Sequence, residues 1–510
     1  MADTTHDAAE SETMPPTFVA YPILFLFVSL LIGCAVRWVL ERFKSKLHIN
    51  IPYSVVLLTF GGILGGISWY QQRDSPATDR WTISLTIWST LSPRLILFIF
   101  LPALIFEGAM STDFYIFKQQ LPGALMLAFP AMLLQVVLVA MVGLYTFPYG
   151  WGWTESLMFG GILSATDPVA VIALMKELGL LSDLRVLIEA ESLLNDGTAI
   201  VVFELCHKIL VHPSDIGTYV STGFSLVLGA PALGLALFLP AWKWLIKTDD
   251  PIQDTDVTVC MAYLAYFSAE TSGISGVLTV LTIGLCMSGY GYTAIHTEHA
   301  RHMLHAVWTI ICYVCDTVIF ILAGANIVQD GFLKDYPSEV EHDARYTEKG
   351  HEIGFGILLY FFLLLIRVFV VLVCAPIIRY SGYGLQARAC SRKRFFKYMF
   401  ILSWGGLRGA VGLVLAMIVA QDTHLAETLK DRDPVFSQRV ILFTGIVVFL
   451  TTLINAASLE QVIKVLGLTK TSQTEEQLKR SAKRFLVRKH KGIEVKLRNR
   501  QKYPDLASVD

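Results

Sequence analysis

Charge is what this 510-residue sequence has least of. Only 16% of its residues are Asp, Glu, Lys or Arg, against roughly a quarter in soluble globular proteins. So few charges cannot coat a water-facing surface of this size, which excludes a soluble enzyme; no nucleic-acid partner is expected. Other absences narrow the class further. No His-Glu-x-x-His occurs and no serine–histidine pairing lies deep in an apolar run, so the groups that intramembrane hydrolysis needs are missing. No filter loop of the potassium-channel kind is repeated. No Asn-x-Ser/Thr acceptor is present. The 8 cysteines outline no disulfide framework. Most sit inside apolar runs (Cys34, Cys206, Cys260, Cys286, Cys374), and the Cys312-x-x-Cys315 pair falls within a predicted span, where packing is the ordinary role. No cleavable leader is expected, because 18–40 is too long for one and reads as a signal anchor.

What the chain does have is apolar length. Hydrophobic residues make up 54% of it, and apolar runs of about 18 or more residues read as membrane-spanning helices. About thirteen such segments occur, near 18–40, 52–70, 93–112, 121–147, 153–178, 187–210, 217–246, 256–270, 273–290, 303–329, 353–380, 396–420 and 437–463. The eighth and ninth are short and divide at Ser272-Gly273. The fold class is therefore an all-α polytopic membrane protein. Its N-terminal tail (1–17) is acidic, with Asp3, Asp7, Glu10 and Glu12, and the loop 330–352 is acidic too. The loops carrying Arg37, Arg42, Lys44 and Lys46, and Arg388, Arg392, Lys393, Arg394 and Lys397, are basic, as is the tail 467–510. Basic loops stay cytoplasmic. An odd number of spans with the N-terminus outside and the C-terminus inside satisfies them all. The basic tail suits anionic lipid or a cytoplasmic regulator. The doubled glycine pair Gly61-Gly62 and Gly65-Gly66 has the spacing of close helix packing.

Ionisable groups in spanning segments are costly and usually functional or paired. Eight stand out: Glu107, Asp167, Glu191, Asp196, Glu204, Asp316, Arg367 and Arg408. In "SATDPVAV" (164–171), Pro168 lacks an N–H and disfavours helix at Asp167, so the fifth segment should break there. In "SWGGLRGAVG" (403–412), four glycines weaken the twelfth segment around Arg408. If segments 1–6 and 8–13 are inverted repeats, the two breaks occupy corresponding positions, the best sequence pointer to a transporter binding site. Asp167 can then offset facing helix N-termini and Arg408 facing C-termini. In "ESLLNDGTAIVVFEL" (191–205), Glu191 and Asn195 share one helical face, and Ser192 and Asp196 share the next. Asp196 facing broken backbone makes an oxygen-rich site for a hard cation. Glu191 needs a counter-charge, and Arg367, alone in "LLLIRVFVV", is the candidate. His296, His299, His302 and His305 recur every three residues at a predicted membrane boundary, where a solvated helix end is the simpler reading than a metal or pH-sensing cluster.

Four stretches in order, "FLPALIFEGA", "ATDPVAV", "ESLLNDGTAIVVF" and "GGLRGAVGLVLA", make the chain resemble the sodium/proton exchangers of the cation/proton antiporter superfamily, in its electroneutral branch. "SATDPVAVIALMKELG" resembles the plant salt-tolerance and sperm-specific exchangers in particular. The resemblance spans 18–466 and implies an inverted-repeat fold, a homodimer and an elevator cycle. A core part (about 121–210 and 353–463) would move against a dimerisation part (about 18–112 and 256–329), with 217–246 as linker helix. It implies that Asp196 binds Na⁺ or H⁺, with Thr166, Asp167 and Ser192 as further Na⁺ ligands. It places Glu191 and Arg367 at a buried salt bridge and Glu107 near the ion passage. Asn195 stands where electrogenic relatives carry a second aspartate. No cofactor is expected, Na⁺ and H⁺ being cargo. The expected activity is one-for-one, electroneutral Na⁺/H⁺ antiport regulating pH at the plasma membrane. A K⁺(Na⁺)/H⁺ exchanger of the same fold, and a cation channel, are the alternatives.

Overall fold

The computed structural model describes residues 21–47, 52–74, 80–178, 182–211, 215–334, 349–380, 392–430 and 432–468, with 481 and 484. The N-terminal tail, nearly all of the basic tail, and most of the loops 330–352 and 381–391 lie outside the described residues. Every element is helical: α1 (Tyr21–Leu47), α2 (Tyr53–Asp74), α3 (Arg80–Ser89), α4 (Pro93–Ser111), α5 (Phe114–Met126), α6 (Met132–Thr146), α7 (Trp153–Ser164), α8 (Val169–Glu177), α9 (Ser182–Val211) and α10 (Ile216–Leu245). Then come α11 (Pro251–Thr271), α12 (Gly276–Cys286), α13 (Tyr292–Ala294), α14 (Glu298–Asn326), α15 (Lys349–Tyr380), α16 (Arg392–Trp404), α17 (Ala410–Gln421), α18 (Thr423–Leu429), α19 (Phe436–Leu450) and α20 (Ala457–Val465). Short π-type turns splice α5 to α6, α12 to α13 and α19 to α20, and prolong α14 to Leu333.

Among the described residues, ten helical runs are long and apolar enough to cross a membrane, or eleven if the bent pair α17–α18 is one span. The expected count of thirteen is not reached on these terms, and the reason is physical. The three expected segments that fall short are those with the greatest polar demand. Glu189, Glu191, Asp196 and Glu204 lie along α9, Asp254, Asp256 and Glu270 along α11, and α16–α17 is cut in two by residues 405–409. The division at Ser272-Gly273 is a real turn. Gly273 adopts φ +69°, a left-handed conformation that suits glycine, and the Glu270 carboxylate accepts from the Gly276 amide at 2.9 Å to start α12. Helix α3 was not expected; Trp88 and Ser84 tie it to the start of α1, with Trp88 Nε1 donating to the Pro22 carbonyl at 2.7 Å.

The glycine spacing on α2 brings backbones together. A Cβ added at Gly61 would lie 2.1 Å from the Ile321 carbonyl oxygen, and one at Gly65 2.7 Å from Ala325 Cα. Gly324 answers from α14, where a Cβ would come within 2.2 Å of the Leu58 oxygen. In oil, where apolar burial gives helices no reason to associate, such close approach supplies van der Waals contact along the seam.

A second anchor is ionic. Arg439, at the start of α19 and 1% exposed, donates from Nε to Glu352 at 2.8 Å and from Nη1 to both Asp433 oxygens at 2.8 Å. Its guanidinium lies 3.7 Å from the Tyr149 ring centroid, and Trp151 Nε1 donates to Asp433 at 2.8 Å. The 147–151 connection and the starts of α15 and α19 are thereby joined at one end of the bundle. Replacing Arg439 with leucine leaves two buried carboxylates uncompensated, a loss of roughly 3–5 kcal/mol. The expected outcome is a clear fall in the melting temperature of the detergent-purified chain; an unchanged melt would show that these helix ends hold without the arginine.

Candidate functional site

Helices α7–α8 and α16–α17 both break in mid-span and cross at their breaks. Residues 165–168 are non-helical after α7, and 405–409 after α16. The freed backbone groups find partners across the crossing. The Asp167 amide donates to the Leu407 carbonyl at 2.9 Å. Arg408 Nη1 donates to the carbonyls of Ser164 at 2.9 Å and Ala165 at 3.2 Å, at the C-terminal end of α7. With its amide oriented so that Oε1 faces Arg408, Gln135 of α6 accepts at 2.8 Å. Arg408 is thus a cation set against a negative helix end, and Asp167 does the converse, its Oδ1 accepting from the first amide of α8, Val169, at 2.9 Å. Close passage needs glycine: a Cβ at Gly409 would lie 2.2 Å from the Asp167 Cβ.

Helix α9 runs beside this crossing, and its helical period sorts its polar residues onto two faces. Ser192 and Asp196 turn toward a cavity of about 340 Å³, whose wall also includes Thr166 and Asp167 from the break. The four expected ion ligands therefore share one cavity, with Asp196 and Asp167 partly open to it. Ser192 donates to the Thr166 carbonyl, and the two hydroxyls are 3.3 Å apart. Four oxygen-bearing side chains and a helix break form a donor set suited to a hard, small cation.

Behind that wall the chain is closed. Glu191, Asn195, Arg367 and Arg408 are all buried. Arg367 of α15 donates from Nη2 to Glu191 and to the Leu402 carbonyl at 3.5 Å. Asn195 Nδ2 donates to Glu191 at 3.3 Å and to Thr166 Oγ1 at 3.3 Å, bridging the ion pair to the cavity wall. Gly406 leaves room for the arginine, since a Cβ there would sit 3.0 Å from Arg367 Nε.

Glu107 of α4 lines the same cavity from the other side. Three charged residues there were not expected as site residues: Lys176 of α8, Glu189 of α9 and Asp316 of α14. Glu189 could have been found, because 189, 192 and 196 follow the i, i+3, i+7 stripe of one helical face. Glu204 lies away from the site, 3.8 Å from Lys208. Cys312 and Cys315 are buried, Cys312 donating to the Ala103 carbonyl at 3.4 Å, as packing residues do. His296 instead faces the Ile246 carbonyl at 3.1 Å and His305 stacks on Tyr292. No group of three His, Cys, Asp or Glu suited to a metal occurs among the described residues.

Residues 26–465 match the family model for the transmembrane part of sodium/hydrogen exchangers. The chain belongs to the sodium/hydrogen exchanger family. It is 36% identical over 447 residues to sodium/hydrogen exchanger 7 of Arabidopsis thaliana, covering 87% of this chain and 36% of that one. It is 23% identical over 410 residues to solute carrier family 9 member C1 of mouse, covering 76% and 31%. The chain thus spans about a third of the length of these curated relatives. The fold resembles that of the sodium proton antiporter MjNhaP1 from Methanocaldococcus jannaschii, with a TM-score of 0.62 at 19% identity, covering 88% of this chain and 100% of that one. The exchangers and antiporters in this family are transporters and not enzymes.

The Glu191–Arg367 pair makes a stability prediction. Removing one partner leaves a buried unpaired charge, costing roughly 3–5 kcal/mol, whereas removing both costs less. Thermal melts should rank Glu191→Gln and Arg367→Leu below the double variant; equal losses in all three would speak against the pairing.

Proposed function

We propose that this chain exchanges Na⁺ for H⁺ across the membrane, with Asp196 as the one carboxylate that both ions neutralise in turn. The observation that carries this reading is the meeting of Thr166, Asp167, Ser192 and Asp196 on one cavity at the crossing of two broken helices. A bare carboxylate is too costly to move through an apolar barrier. The site therefore crosses only when Asp196 holds Na⁺ or H⁺, and that rule alone couples the two fluxes. With one exchanging carboxylate, one Na⁺ moves against one H⁺ and no net charge crosses. Asn195 supports this stoichiometry, because it is neutral in either step and is engaged with Glu191 and Thr166.

An elevator motion suits the connections at the crossing. Hydrogen bonds from Asp167 and Arg408 join the two broken helices, and Arg367 joins α15 to α9, so these elements would travel as one body. The remainder, built on α1, α2, α4, α11, α12 and α14, would stay fixed and form the homodimer, with α10 as linker. Basic residues of α16, among them Lys393 and Arg394, support a cytoplasmic position for its start. By the same rule the N-terminus would lie on the opposite, extracellular side; the basic sequence of 467–510 suits anionic lipid or a cytoplasmic regulator, and the plasma membrane is the location we propose.

In proteoliposomes with an imposed pH gradient, addition of Na⁺ should drive proton flux without current, with Li⁺ and K⁺ tested separately and voltage recorded. Asp196→Asn should bring that flux down to the level of protein-free liposomes. Wild-type flux in Asp196→Asn, or a sustained current at a fixed pH gradient, would overturn the reading.

A further inference from the structure

We propose that Asp316 is a cation-positioning residue: a carboxylate on the fixed wall that receives the incoming cation and passes it across the cavity to Asp196. The inference rests on the reading of Asp196 and of the moving body given above.

Its depth is the first observation. On α14 the charged residues are Glu298, Arg301 and Asp316, and only Asp316 lies far from an end. At about 1.5 Å per residue it is about 27 Å along the helix axis from Glu298. A carboxylate at that depth costs several kcal/mol unless something compensates it.

Among the described residues no hydrogen bond or ion pair reaches the Asp316 side chain. The next residue shows the contrast: Thr317 is 2.8 Å from Tyr53 Oη and donates to the Tyr313 carbonyl at 2.6 Å. Of the cations lining the neighbouring space, none is within ion-pair distance of Asp316 among the described residues. Arg37 is 3.6 Å from Glu41 and lies over the Tyr313 ring, while Lys176 shares its cavity wall with Glu189 and Glu107.

Cavity geometry explains how Asp316 stays at that depth. Beside the 340 Å³ cavity that holds Asp196 lies a second, of about 550 Å³, along an adjacent face of α8. The two share Asp167, Val169, Ala173 and Asp316. Asp316 and Asp167 are therefore the charged residues at the boundary between them, reached from both. The second cavity extends past Tyr53 and Tyr313 to Arg37 and Glu41 of α1 and to Glu177, the last residue of α8. Water and cations entering by either route meet Asp316, which answers its desolvation problem and makes it a point of cation arrival.

Its placement on α14 decides its role. That helix is held to α2 by the glycine seam and belongs to the part that would stay fixed. A cation resting on Asp316 cannot ride with Asp196; it must be transferred first. Asp316 should therefore govern how readily the site fills and not how fast the loaded site crosses.

The test is Na⁺/H⁺ exchange by the whole chain in proteoliposomes over a range of Na⁺ concentrations. Asp316→Asn should raise the Na⁺ concentration for half-maximal rate by about threefold or more, the weight of one nearby charge, while the maximal rate stays within about twofold. Asp316→Glu should restore the wild-type half-saturation. An unmoved half-saturation in Asp316→Asn, or a loss confined to maximal rate and melting temperature, overturns the proposal. Should Asp316→Asn not fold, the unaltered chain serves: a hydrophobic carbodiimide should modify Asp316 less when Na⁺ is present, read by peptide mass spectrometry, and modification indifferent to Na⁺ overturns the proposal. Failure of the Asp196 reading is separate, since it appears as exchange surviving Asp196→Asn.

Discussion

The constraint on which the site depends is backbone satisfaction in oil. A helix interrupted in mid-membrane exposes amides and carbonyls that lipid cannot solvate, and each costs several kcal/mol if left alone. Here two interruptions meet and supply each other. The Asp167 amide reaches the Leu407 carbonyl, and Arg408 covers the last carbonyls of α7. Without the second break the first would have no partner. One wall of the cavity is hung from this exchange: Thr166 and Asp167 directly, and Ser192 through its bond to the Thr166 carbonyl.

The division between cavity wall and buried backing follows from helical geometry. Along α9 a step of four residues keeps a face, and a step of one changes it. Glu191 and Asn195 consequently turn inward to Arg367 while Ser192 and Asp196 turn to the open space. One helix thus holds two carboxylates with opposite fates. Glu191 is compensated by an arginine, while among the described residues no ion pair reaches Asp196, which faces the cavity.

That division was legible in the sequence because it depends on local spacing, and so were the breaks, because Pro168 and the glycines at 405, 406, 409 and 412 act on their own backbone. What escaped depended on distance. Lys176 and Asp316 gain meaning only when α8 and α14 border the space beside α9. Arg439 and Glu352 stand 87 residues apart, and nothing in either neighbourhood names the other. Helix α3 mixes polar and apolar residues over ten positions, too short for a periodic signal, and is held by tertiary bonds to Pro22 and Phe25. By length and apolarity alone ten or eleven helical runs qualify as spans among the described residues, because α9 and α11 carry charge and α16–α17 is cut in two.

The contact between Gly61, Gly65 and Gly324 has a mechanical corollary. Where two main chains touch without intervening side chains, there is no soft layer to absorb twist or slip. The α2–α14 pair behaves as a keel. Displacement on one flank of the molecule would be resisted along the whole ridge, and groups mounted on it, Thr317 and its neighbour included, would keep their height were the opposite flank to change level.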